Sequence, residues 1–190
     1  MKYLRPFVVI PLRQPMRHSR SFRLFGALLL IMALGMGCSQ EKDAFLNRTF
    51  HRLTTRDNGW FNANEKLKEV VVGIEATHVD DYDQILPLFV YGTEEQAKAA
   101  VPELEKCIDK CSLVIERHSM NIEGKEKNKW IDDSWFVIAK SHFYKRNYYE
   151  AERGFSYVSR RFKDGDRRYE SLVWLARTAI QLEQYGKAQS

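Results

Sequence analysis

One pattern occurs twice in residues 130–188. Trp135, Ile138, Ala139, Tyr148, Ala151 and Phe155 form its first copy, and Leu172, Leu175, Ala176, Tyr185 and Ala188 answer in the second. Ile138 recurs as Leu175, Ala139 as Ala176, Tyr148 as Tyr185 and Ala151 as Ala188, each time 37 positions later. A period of this length accommodates two helices and two turns. The small residues mark where the paired helices cross closely, and Trp135, Ile138 and Phe155 fill the space around the crossing. A helical hairpin of this kind cannot cover its own apolar face and must stack on a neighbour.

The period is close to the tetratricopeptide repeat of about 34 residues with a slightly longer connection. The expected fold is therefore all-α, with antiparallel helical hairpins stacked as a tetratricopeptide-like solenoid. The chain divides into a lipoprotein signal peptide at 1–37, a lipidated cysteine and tether at 38–58, an N-terminal helical region at 59–128, and repeats at 129–190. The second repeat is truncated at Ser190, as expected of a piece of a longer solenoid.

The net charge of +5 comes from the amino terminus. Lys2, Arg5, Arg13, Arg17, Arg20 and Arg23 precede Cys38 with no acid among them, so of the 30 bases 24 remain against 25 acids. The basic pI is a targeting property and gives no support for a nucleic-acid surface. The apolar run at 24–34 is too short to span a bilayer but suits the core of a signal peptide. Gly37 before Cys38 has the form of a bacterial lipobox, although Gly35 stands where leucine is usual and Met36 is bulky. Acylated Cys38 would anchor the chain, with ordinary secretion or a structural apolar helix as alternatives. Met16 begins a tidier signal peptide than Met1, and Ser39, where a retention signal would show aspartate, favours the outer membrane.

Residues 39–58 are polar and predict a tether, and the glycosylation sequon at Asn47 is read as a chance match. A helix is expected from Asn62 or Asn64 through Ala63, Leu67, Val70, Val71 and Ile74, ending by the acidic cluster Asp80, Asp81 and Asp83. Tyr82, Leu86, Leu88, Phe89 and Tyr91 predict a connector packed on the helices. Thr93 and Gln96 form a capping box ahead of a long amphipathic helix on Ala97, Val101, Leu104, Ile108, Cys111, Ile115 and His118. Pro102 either kinks that helix or opens a fresh one. The repeat helices are expected at about 129–145 and 148–162, with Gly165 in the link to the next, placed to end a helix.

Cys107, Cys111 and His118 share a helical face that is also the apolar one, so they read as core and not as a metal site. The acidic cluster lacks the spacing of a calcium loop. No activated nucleophile, confined carboxylate pair or phosphate-cradling glycine loop is present, and the chain reads as a non-enzyme without cofactor or small-molecule substrate. Stacked repeats would line a concave side with Asp133, Phe136, Lys140, Phe143 and Tyr144, then Glu170, Val173, Arg177, Ile180 and Gln181. Lys140 and Arg177 hold equivalent places above an aromatic floor, where a peptide or acidic partner segment fits. The alternative is ordinary solvated charge.

Taken together, the segments beginning CSQEKDAFLNRTFH, WFNANEKLKEVV, DDYDQILPLFVYGTEEQAK, CSLVIERHSM and KWIDDSWFVIAKSHFYKRNYYEAERGF resemble the PorW/SprE family, tetratricopeptide lipoproteins of gliding, type IX-secreting Bacteroidetes. The resemblance extends from Cys38 to the end. It implies an outer-membrane lipoprotein on the periplasmic side, needed for type IX secretion and gliding motility, with the translocon and ring-forming components as partners. It carries over no catalytic residue. The competing expectation is a glycan- or nutrient-binding helical-repeat lipoprotein beside an outer-membrane transporter.

Overall fold

The computed structural model describes residues 40–189. The signal peptide, Cys38 and the two candidate start methionines lie outside them. The described chain is helical apart from loops and one very short hairpin. Its helices are α1 (Phe45–Thr54), α2 (Phe61–Ala76), α3 (Glu94–His118), α4 (Ile131–Tyr144), α5 (Tyr148–Arg161), α6 (Arg167–Gln181) and α7 (Tyr185–Ala188). Successive helices from α2 to α7 pack on one another in chain order. Among the described residues no helix is long and apolar enough to cross a membrane.

The expected tether is helical from Phe45 onward. Between α1 and α2 the backbone stays right-handed through a π-helical stretch, Thr55–Trp60, which joins them without a loop. The stretch is pinned from inside. Thr55 is fully buried, donates to His51 O at 2.7 Å and accepts from Asn128 Nδ2 at 2.7 Å. Gly59 lies so close to α3 that a Cβ there would fall 1.8 Å from Val114 Cγ2. The inward residues of this segment are polar, which is why it did not read as core-facing helix. Asn47, the sequon residue, is buried and donates to Lys42 O.

α3 starts on the expected capping box, with Gln96 N donating to Thr93 Oγ1 at 3.3 Å and Thr93 N to Gln96 Oε1 at 2.7 Å. It runs through Pro102 as one helix and buries Ala97, Leu104, Cys107, Cys111 and Val114. Strands β1 (Asn121–Ile122) and β2 (Lys125–Glu126) pair across Glu123 and Gly124, both with positive φ as a tight hairpin turn requires. The Glu126 carboxylate then gathers the donors of Ser119 Oγ, Met120 N and Asn128 N.

α4 is the centre of the core. Ala139 and Ala151 are fully buried, as the close crossing demands, and Gly154 completes it: a Cβ there would sit 2.8 Å from Ala139 Cβ. Phe136, Phe143, Phe155 and Trp174 pack edge-on or stacked at 5.1–5.7 Å between ring centres. The turn after α4 recurs after α6. Arg146 and Glu183, 37 positions apart, both take positive φ. Asn147 N donates to His142 O and Gln184 N to Ala179 O, at 2.9 and 2.8 Å. Gly165 comes after α5 has ended at Arg161 and serves another purpose: a Cβ there would lie 2.6 Å from Asp132 Oδ2.

The connector between α2 and α3 differs from expectation. Tyr82, Ile85 and Leu88 point outward, while Phe89 and Tyr91 reach the helices.

Candidate functional site: a cation-lined groove between α2, α4 and α6

The ten residues expected on a concave side come from α4 and α6, but they do not form one open surface. Phe143 and Tyr144 are core residues. Tyr91 covers them from the connector, 4.8 and 6.4 Å from their ring centres, and Trp174 meets them from α6 at 5.1 and 6.1 Å. Phe136 is also buried, against Phe155. The aromatic floor is present, therefore, but its two distal rings are sealed beneath other groups. Val173 and Ile180 are about half exposed on α6, and Gln181 accepts from the Tyr148 hydroxyl at 3.3 Å.

The polar members are brought together. Lys140 Nζ and the Arg177 guanidinium both lie 4.8 Å from the Trp174 ring centre. Lys140 is also 5.8 Å from Phe136, and Arg177 stacks on Phe89 at 3.8 Å. Such contacts hold a cation partly out of water at a gain of about 0.5–2 kcal/mol each. Burial pulls the Lys140 amine below its usual range; Glu170 opposes that pull and Arg167, Arg177 and Lys68 add to it. Among the described residues neither Lys140 nor Arg177 has an ion-pair partner, and the Arg177 Nε is buried without a hydrogen bond.

At the other end an ion triad closes the row. Arg167 Nε donates to Asp133 Oδ1 at 2.6 Å, and its Nη1 pairs with Glu170. Burial raises the Asp133 carboxyl and Arg167 counters that rise. Next to it half-buried Asp132 is pushed up to about 6 by loss of solvent and by the neighbouring Asp133 carboxylate.

Lys140, Arg167 and Glu170 border a groove of about 390 Å³ whose opposite wall is α2 and the end of the π-helical stretch, with Trp60, Asn64, Lys68 and Val72 facing Phe136, Lys140, Arg167 and Glu170. Sequence reasoning missed that wall, together with Arg167, Trp174 and Phe89. Arg167 had a readable signal, since a cation in the first turn of a helix opposes the helix dipole and needs a partner. Trp174 and Phe89 had none, because their role depends on which chain segments meet. The groove's lining carries Lys68, Lys140 and Arg167 against Glu170, an excess of positive charge over an apolar base, and Arg177 lies beside it across the Trp174 ring. Such a combination matches an extended acidic segment in charge and in ring contact.

The remaining candidate clusters do not assemble. Cys107 and Cys111 are free thiols sealed in the core, while His118 turns to His51, with the two Nδ1 atoms 2.9 Å apart. Among the described residues no three His, Cys, Asp or Glu side chains lie close enough to share a metal ion.

Fold and groove define an all-α protein of consecutively packed helices with a cation-lined cleft. No protein-family model matches the chain, and no curated protein is significantly similar to it.

Proposed function

We infer that the protein is an outer-membrane scaffold lipoprotein facing the periplasm, held by acylated Cys38, which binds proteins and performs no chemistry. Its helices form a tetratricopeptide-like solenoid. The turn bonds and positive φ residues that recur after 37 positions support that reading of the repeat. The observation that carries the binding role is the pair Lys140 and Arg177, both held on Trp174 with no ion-pair partner among the described residues, Lys140 bordering the groove. An acidic stretch of a partner chain supplies what they lack. The resemblance to the PorW/SprE family supports type IX secretion and gliding as the process, and the translocon and ring-forming components as the partners.

Two measurements test this. Replacing Lys140 and Arg177 together by glutamate should weaken capture of the purified ring and translocon components at least about tenfold at low salt, since each reversal turns attraction into repulsion. Unchanged capture removes the groove from the account. Deleting the gene should abolish secretion of type IX cargo and leave growth on single glycans intact. A secreting strain that no longer grows on a glycan would instead establish the nutrient-binding alternative.

A further inference from the structure

α1 is built inside out. Its protein-facing residues are the polar ones: Asn47 and His51 are buried, as is Thr55 immediately past its end. Asn47 donates to Lys42 O, His51 Nδ1 meets His118 Nδ1, and Thr55 bonds to His51 O and Asn128, while among the described residues His51 Nε2 is buried without a hydrogen-bond partner. The apolar residues face away, with Phe45, Leu46, Phe50 and Leu53 exposed by 73, 79, 46 and 47%. At about 100° per residue these four fall in one arc of roughly 140°. A helix of a water-bathed surface shows the reverse arrangement, apolar side in and polar side out. Four large side chains aligned outward on one helix are far from the scattered exposed hydrophobics of an ordinary surface.

The geometry points to α1 as an interfacial helix that lies on the lipid bilayer with Phe45, Leu46, Phe50 and Leu53 sunk among the acyl chains. This rests on the acylation of Cys38 inferred above. Between that residue and Phe45 lie only residues 39–44, a reach of at most about 25 Å even when fully extended. The outward stripe is thus confined to within a bilayer's thickness of the membrane surface. Its effective concentration towards lipid exceeds that towards any diffusing protein. Arg48 and Arg52 flank the Phe45 edge of the arc, Arg48 paired with Asp43 at 2.8 Å and Arg52 donating to Lys127 O at 3.0 and 3.2 Å, so the charges beside the stripe are held by protein partners. The polar inner face, bonded to α3 and to Asn128, then fixes the helical body against the membrane as one piece, so that α1 orients the groove as well as holding it near.

The test places a nitroxide label, one site at a time, at Phe45→Cys, Leu46→Cys and Leu53→Cys, with Tyr149→Cys on the exposed side of α5 as the water reference. The full chain is produced in a lipoprotein-processing bacterium and reconstituted into vesicles of phosphatidylethanolamine with a minority of phosphatidylglycerol. Cys107 and Cys111 are fully buried and do not compete for label. Collision of each label with oxygen is compared with collision with a water-soluble nickel chelate. The expected result is an oxygen-to-nickel ratio at the three α1 sites at least about threefold above that at residue 149, as for an apolar face within the acyl boundary. A ratio equal to the reference overturns the proposal. So does exclusion of both reagents, which would mean that a second copy or another protein covers the stripe. The mass of the Cys38 peptide from the same sample separates the two readings. Acylated Cys38 with labels in water defeats the docking alone, whereas unmodified Cys38 with labels in lipid defeats the anchor alone.

Discussion

α4 and α6 carry the same pattern 37 positions apart, yet they live in different surroundings. Ala139 in α4 is fully buried against Gly154 of the following helix, whereas its counterpart Ala176 in α6 is only partly covered. Trp135 is half-buried on Tyr157, but Leu172 is 47% exposed, and the Tyr185 that answers half-buried Tyr148 is 61% exposed. Even the buried hydroxyls diverge. Ser141 and Thr178 bond back to the carbonyls of Val137 and Trp174, while Ser134 reaches Trp130 O and its counterpart Ser171 is buried with no hydrogen-bond partner among the described residues. A repeat therefore dictates helix, turn and register locally, but each copy acquires a core only from what stacks upon it.

The sharpest way to break that comparison is to enlarge the same alanine in both copies. Ala139→Leu should cost about 2–3 kcal/mol, because the added atoms must displace a backbone already at contact distance from Gly154. Ala176→Leu should stay within about 0.5 kcal/mol, as expected of a partly exposed position. Urea unfolding measures both. Equal losses would mean that the two copies are packed alike.

The contrast also explains which parts of the molecule were legible before the structure. The α3 cap, the α4 to α6 helices and the close crossing at Ala139 follow from residues near one another in sequence: Thr93 with Gln96, alanines at the repeat offset, Arg146 and Asn147 in a short turn. The groove was half legible. Lys140 and Arg177 are placed by the repeat, but Phe143 and Tyr144 lost their expected surface role to Tyr91, and α2 became the facing wall through contacts no local pattern encodes. α1 was illegible for a different reason. Apolar residues on a helix are taken to mark the buried side, and here Asn47, His51 and Thr55 mark it instead.

A second contrast is set by acid. The first copy is covered by α3, and α1 is fastened to the end of α3 through His51 and His118, with Phe50 edge-on to both rings. Burial lowers the pKa of both imidazoles, opposed for His51 by Glu126 and reinforced for His118 by His51 and Arg117. The folded state thus favours the neutral rings. The stability they contribute is present above their unfolded value of about 6.5 and is lost as pH falls through the lower folded values. Between about pH 7.5 and 5.5, hydrogen exchange of α1, corrected for its intrinsic rate, should speed up about tenfold while α6 is unchanged, the loss of roughly one buried hydrogen bond. His118→Gln removes one of the two titrating rings and should weaken the response, leaving the part that buried His51 carries. Acceleration of α6 by the same factor would show that α1 is coupled to the second copy after all.

The smallest effect is expected where the copies agree most. Arg146 and Glu183 both hold the left-handed position that closes a helix, at φ 64° and 59°, where a side chain is strained and glycine is not. Glycine at either site removes that strain but adds freedom to the unfolded chain, leaving a net gain of about 0.5 kcal/mol. Arg146 also donates weakly to Gly92 O across to the connector, at 3.4 Å, a contact its counterpart does not share. Glu183→Gly should therefore stabilise slightly more than Arg146→Gly, and the gap between them, read from urea midpoints at constant slope, measures what the connector adds to the first copy. If Arg146→Gly were the more stabilising change, the connector would be straining the turn it touches, and the firmer packing of the first copy would have to come from α3 and α5 alone.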